Sequence, residues 1–202
     1  MLLLAIDTSS SLVSVALLMG KRNVRFREQE MERGQGEALI PMIQELFESA
    51  HLSMKDLTGV AVAVGPGSFT GVRIGIATAR AIAMALDIPV YGVTNFEAYS
   101  YSLLKPVTVV LDSKRDDYFV QKFDENGIAL GTPKIATEKQ LKKALPFTAV
   151  GSGAAMLAGQ IGCKLLNKIS PTAVSVGRIA LTRLDHPMPA SPLYLREADV
   201  TL

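Results

Sequence analysis

The residues able to do chemistry are few and scattered. The densest polar group is Asp7-Thr8-Ser9-Ser10-Ser11, a carboxylate and four hydroxyls between the apolar runs Met1 to Ile6 and Leu12 to Leu18. At a hairpin tip such residues can offer backbone amides to a phosphate while the acid holds a hydrated magnesium ion. Asp and Ser also close tight turns through their own backbone, and a short polar tip is expected at any hairpin, so the structural reading is preferred. The second group is Gly65-Pro66-Gly67 with Gly71 behind it, a glycine turn after Val60 to Val64. Asp7, Thr8, Ser9, Gly65 and Gly67 are therefore the candidate nucleotide-binding residues. No Lys-Ser/Thr pair closes the turn as in a Walker loop, and the glycine spacing is not that of a dinucleotide fingerprint. HExxH, CxxC and G-x-S-x-G are absent, and His51 and His186 are the only histidines, which cannot build a zinc site or a Ser-His-Asp triad. His51 reads as a charge partner at a helix end, and Gly151-Ser152-Gly153 as a strand-end turn. An endopeptidase has no supporting residues.

The elements that must hold these groups centre on Val60 to Leu86. Val60 to Val64 reads as a strand buried on both faces, and the helix from Gly71 to Leu86, capped by Ser68 or Thr70, has only Arg73, Thr78 and Arg80 as clearly polar side chains. Such a helix must be covered on two sides. Gly71, Gly75, Ala79 and Ala83 form a ridge with almost no side chain, while Arg73, Ala77, Arg80 and Met84 lie on another face. One face can meet the chain's own sheet and the other a second protein.

Ahead of this segment come two strands around the polar tip, a more exposed third strand over Val24 to Glu30, and a break at Arg33 to Gly36 after the turn beginning at Gly20-Lys21 and this strand. A helix follows, with Leu39, Met42, Ile43, Leu46, Phe47 and Ala50 at helical spacing and Pro41 near its start. Behind it come a strand at Val90 to Val93, a helix from Asn95 to Leu104 and a joint at Lys105-Pro106. Val107 to Leu111 and Tyr118 to Phe123 make a hairpin, with a third strand after the Asn126-Gly127 turn. A helix over Glu138 to Ala144, a strand at Thr148 to Val150, a helix over Ser175 to Leu184, a proline-rich extended run and a loose tail from Arg196 complete the chain.

The 202 residues are enough for one large domain or two small lobes. Cys163 is the sole cysteine, so no intramolecular disulfide forms, and it reads as a small buried apolar residue in a reducing cytoplasm. The opening MLLLAIDTSS is a first strand and not a signal peptide, and no later run reaches membrane-spanning length without charges. A net charge of +2 and the absence of Trp argue against autonomous nucleic-acid binding. Scarce catalytic groups beside doubly apolar helices favour an interaction role over an enzyme.

LLAIDTSS with SVALL behind it, the proline-containing helix near Leu39, GPGSFTGVRIGIATARAIA, the Asp112 to Tyr118 hairpin and the closing SPLYLR together resemble the bacterial TsaB (YeaZ) family, from about residue 1 to about residue 196. The resemblance implies an α/β chain of the actin-like/hexokinase/Hsp70 ATPase (ASKHA) fold, with a first lobe over 1–104 and a reduced second lobe with its tail over 105–202. It implies a non-catalytic partner of the related TsaD in making threonylcarbamoyladenosine beside the anticodon of tRNAs that read A-starting codons, together with the ATPase TsaE and downstream of TsaC. The catalytic relative carries a His-x-x-x-His metal motif where this chain reads Asn95-Phe96-Glu97-Ala98-Tyr99, and Asn and Tyr are poor ligands beside imidazole.

The expected interface is the helix pair Ala38 to Ala50 and Gly71 to Leu86, through Leu39, Met42, Ile43, Leu46, Arg73, Ile76, Ala77 and Arg80, with the arginines at the rim. The same patch is expected to close on a second copy as a two-fold homodimer when TsaD is missing. No cofactor or metal of its own is expected, a nucleotide having its place at the partner interface. Contact with tRNA is expected only through the complex. The alternative is a small ATP-dependent phosphotransferase or ATPase using Asp7 and the hydroxyl turn.

Overall fold

The computed structural model describes residues 1–20, 23–103, 105–166 and 172–196, and the chain divides into two units, Met1–Ala98 with Pro171–Pro192, and Tyr99–Ser170 with Leu193–Leu202. In the first unit, β1 (Leu2–Asp7) and β2 (Leu12–Met19) pair antiparallel, Leu3 opposite Leu18 and Ala5 opposite Ala16. β3 (Asn23–Glu30) adds to β2 at the sheet edge, where its exposed Arg, Glu and Gln side chains discourage pairing with another chain. After α1 (Gln35–Ala50) come β4 (Gly59–Ala63), α2 (Phe69–Leu86) and β5 (Val90–Val93), and the two strands join parallel to give the order β3-β2-β1-β4-β5.

Successive residues of a strand face opposite sides, and this decides which helix covers what. Ile6 and Val62 meet α2 at Gly75, whereas Ala5 and Leu18 meet Gly177 of α6 (Ala173–Ala180) on the other face. With helices on both faces, β1, most of β2 and β4 are buried on both sides, which is why they read as unbroken apolar runs. By length and composition alone α2 could cross a membrane, yet Gly71, Val72, Gly75, Ile76, Ala79 and Ala83 are buried against its own sheet.

From α3 (Asn95–Ser100) the chain enters the second unit, where β6 (Val107–Asp112) and β7 (Asp117–Phe123) form the expected hairpin. β8 (Lys134–Thr137), α4 (Glu138–Lys143), β9 (Thr148–Val150), α5 (Ala154–Ile161) and β10 (Lys164–Leu165) follow, in the sheet order β10-β9-β6-β7-β8. Each unit thus has its first strand in the middle, two antiparallel strands on one side and two parallel strands on the other. This repeat of topology has no counterpart in sequence repetition. The second sheet is the reduced one, its last two strands being three and two residues long.

Four expectations need correction. The division at 104/105 does not hold, because α6 and the strap behind it return to the first unit: the Ala173 N–H donates to Ser14 Oγ of β2 (2.8 Å), and the Gly92 N–H donates to Met188 O (2.8 Å), laying the strap along the β5 edge. α1 starts at Gln35, since only Gly34, left-handed at φ 89°, breaks the chain. Pro41 therefore lies in the second turn, on the exposed side, where water can take the Glu37 carbonyl that Pro41 cannot serve. α5 and β10 were not anticipated: α5 has no side-chain N-cap, Gly159 interrupts it and it shows no polar periodicity, while β10 is too short to show any. The turn at Lys21, the helix end at Leu104 and the tail beyond Arg196 lie outside the described residues.

Replacing Ser14 by Ala removes the acceptor of a buried helix-end amide while changing little volume. Ser14→Ala should cost about 1 to 2 kcal/mol in urea unfolding, and Ser14→Thr, which keeps a hydroxyl, should recover part of it.

Candidate functional site

Two places gather the residues singled out by the sequence. The first is the polar tip between β1 and β2. Asp7, Thr8 and Ser9 are all buried there, against the glycine turn and the start of α2. The Ser9 N–H and Oγ donate to Asp7 Oδ1 at 2.9 and 2.6 Å, Thr8 Oγ1 donates to Gly71 O at 2.7 Å, and the Ser68 N–H donates to Ser9 O at 2.7 Å. Asn95 closes the cluster from the far side, its Nδ2 donating to Ser9 Oγ (2.8 Å) and Pro66 O (2.9 Å) and its N–H to Gly65 O (2.8 Å). Asn95 Oδ1 is buried and accepts no hydrogen bond among the described residues. The approach is closer than a side chain allows: a Cβ on Gly67 would stand 2.4 Å from Ser9 O, and one on Gly71 2.0 Å from Thr8 O. Asp7, Thr8, Ser9, Gly65 and Gly67 are thus brought together as the sequence suggested, but their polar groups are paired with one another. The cluster acts as a latch between hairpin and helix.

Burial pushes the Asp7 carboxyl above its ordinary range, against the opposing pull of the Ser9 hydrogen bonds. A carboxyl whose pKa is raised on folding binds protons more readily in the native state, so its contribution to stability falls as pH rises from the unfolded value through the folded one. Asn supplies the same acceptor without the charge. Asp7→Asn should therefore be at least as stable as the parent at pH 7, by about 1 kcal/mol, and lose the decline above about pH 4. A urea midpoint clearly below the parent's at pH 7 would show that the charge itself is required.

The second unit repeats the motif. Asp112 ends β6, its N–H donating to Ser152 Oγ (3.1 Å); burial alone would raise its carboxyl, but the hydrogen bonds and charge of Lys114, Nζ 2.8 Å away, hold it below the carboxylate range. Asp117 pairs with Arg196, and Tyr118 donates to Gln160 Oε1 at 2.7 Å. Ser152 is thus a turn residue tying two strands. Cys163 is buried, which raises its thiol pKa and keeps it unreactive. Among the described residues no cluster of His, Cys, Asp and Glu could hold a metal ion.

The second place is the outer surface of α1 and α2. Leu39, Met42, Ile43 and Leu46 are buried beneath α1, and Ile76 beneath α2. These five residues of the expected interface are core, because each helix turns its broader apolar stripe to its own sheet. Arg73, Ala77 and Arg80 are exposed as expected. The surplus apolar surface lies on residues that the helical spacing did not single out: Phe69 is 49% exposed, Met84 83% and Ile40 of α1 46%, with Ala81 and Pro41 also exposed. The Arg73 guanidinium stacks 3.7 Å over the Phe69 ring, and Arg80 Nη2 donates to Ser191 Oγ of the strap at 3.2 Å. Met84 had been placed on this face; Phe69 was legible only as the residue after the Ser68 cap.

Known proteins resemble this chain at every level. Residues 29–182 match the family model described as TsaD: tRNA N6-adenosine threonylcarbamoyltransferase. The tRNA threonylcarbamoyladenosine biosynthesis protein TsaB of Escherichia coli is 31% identical over 168 residues, 76% of this chain and 72% of that one. YeaZ from Pseudomonas aeruginosa superposes with a TM-score of 0.79 at 23% identity, over 96% of this chain and 99% of its own. The activator of 2-hydroxyisocaproyl-CoA dehydratase from Clostridium difficile, with bound ADPNP, reaches 0.52 at 10% identity, over 90% and 95%. These likenesses fix the actin-like ATPase fold, and the chain belongs to the TsaB (YeaZ) family of tRNA threonylcarbamoyladenosine biosynthesis proteins.

Proposed function

We propose that this chain is the non-catalytic partner that binds and activates a TsaD-type enzyme in transferring the threonylcarbamoyl group to tRNA. The observation that carries the proposal is the α2 surface: a helix already packed on its own sheet still exposes Phe69, Ala77, Ala81 and Met84 in line, beside Ile40 of α1. A contiguous apolar strip of this kind on a monomer is a docking surface or a liability. The partner contacts are Ile40, Phe69, Ala77 and Met84, with Arg73 and Arg80 at the rim. Family membership supplies the partner, TsaD, and the larger assembly with TsaE, in the cytoplasm, where tRNA is. Any nucleotide belongs to the interface and tRNA is reached through the complex, since the chain's own polar tip is closed on itself.

The competing reading, an ATPase or phosphotransferase built on Asp7, needs that tip open to phosphate and magnesium. Mixing the purified chain with ATP and magnesium separates the two readings: the partner role predicts no turnover approaching the roughly 1 per second of an ordinary enzyme. Capture of purified TsaD by the chain in an affinity titration supports the partner role, and a chain that hydrolyses ATP alone while ignoring TsaD overturns it.

A further inference from the structure

The helix-pair surface is electrically two-sided. α1 carries Glu37, Glu45 and Glu48 and no basic residue, all three exposed and in no ion pair among the described residues. α2 carries Arg73 and Arg80 and no acidic residue. The helices meet along Gly36 and Ile74, where a Cβ on Gly36 would lie 3.7 Å from Ile74 Cδ1. On α1, Glu37, Pro41, Gln44 and Glu48 recur at three- and four-residue spacing away from the buried stripe. On α2, Arg80 leans the opposite way, to Ser191. Across the surface the order is therefore an acidic margin, an apolar middle of Ile40, Ile74, Ala77 and Ala81, and a basic margin.

We infer that this surface pairs with a second copy of itself, about a two-fold axis running along the helices, so that α1 of one copy lies over α2 of the other. The inference rests on the reading of this helix pair as the docking face and adds which arrangement it selects. A two-fold contact can lay the margins together in two ways. An axis along the helices exchanges left and right and sets each acidic margin on a basic one. An axis across them sets acid on acid and base on base, which like-charge repulsion disfavours. The apolar middle meets itself in both, so the charges decide between them.

Sedimentation equilibrium of the full chain tests this. Raising salt from about 0.05 to about 0.5 M should weaken the dimer by about tenfold, because the paired margins attract. Glu37→Lys with Glu48→Lys, or Arg73→Glu with Arg80→Glu, should each raise the dissociation constant about tenfold or more, with circular dichroism confirming the fold. The four-site variant, with both margins inverted, should return to within about threefold of the parent. Association that strengthens with salt, a four-site variant no tighter than the two-site ones, or a chain that stays monomeric up to about 0.5 mM overturns the inference. If TsaD is still captured in any of those cases, and capture is lost in Ala77→Glu, the docking face stands and only the self-pairing falls.

Discussion

Gly71→Ala should cost the fold about 3 to 5 kcal/mol, enough to leave much of the chain unfolded at 37 °C. The added Cβ would stand 2.0 Å from Thr8 O and 3.1 Å from Thr8 C, and both are backbone atoms that cannot swing aside. Either α2 moves off the hairpin or the hairpin tip deforms. Both outcomes break the hydrogen bonds from Thr8 Oγ1 to Gly71 O and from the Ser68 N–H to Ser9 O, inside a cluster with no route to water. Gly159→Ala is the control: its Cβ meets nothing within 4 Å in the middle of α5, so the same change should be neutral or stabilise by up to about 1 kcal/mol. Urea unfolding of the two variants separates a close-approach glycine from an incidental one.

Ala77→Glu and Leu46→Ala should fail in opposite assays. Ala77 is exposed at the centre of the α2 strip, so a glutamate there should leave stability within about 0.5 kcal/mol of the parent. Once a partner helix covers the position, the carboxylate is buried without a counter-charge, and association should weaken by several kcal/mol, a hundredfold or more in affinity. Leu46 is fully buried beneath α1. Truncating it opens a cavity and should cost about 2 to 5 kcal/mol of stability, while the TsaD affinity of whatever fraction folds stays near the parent's. Thermal unfolding and TsaD titration of both variants check the assignment of Leu46 to the core and Ala77 to the surface.

This pair also marks where the sequence stops being readable. That α1 and α2 have more apolar surface than one contact needs follows from their residue types. Which apolar face turns inward does not, because helical spacing is symmetric about the axis: Leu39, Met42, Ile43, Leu46 and Ile76 satisfy it as well as Phe69, Ala77 and Met84. The β1-β2 hairpin, the Ser68 cap and the Asp112 to Tyr118 hairpin were legible because local chemistry fixes them. The latch at Asp7 was half legible. Its hydroxyls and glycines stand out, but that they bond one another depends on Asn95, 86 residues from Ser9 in the chain. The return of α6 to the first sheet rests on the Ser14 to Ala173 hydrogen bond and on Gly177 seated against Ala5 and Leu18, long-range fits that no local pattern announces. α5 was invisible for the converse reason: with Gly153 as its N-cap and neither polar periodicity nor a side-chain cap, only packing in the second core makes it a helix.

The central claim is that this chain contributes a surface and not a catalytic group to threonylcarbamoyl transfer. Its most direct test is the rate of tRNA modification by TsaD, TsaE and TsaC from the same organism, with this chain titrated in. The rate should rise by about tenfold or more and saturate at one chain per TsaD, while the chain with tRNA and the activated threonylcarbamoyl donor, but without TsaD, modifies nothing. Equal rates with and without the chain, or modification by the chain alone, would contradict it.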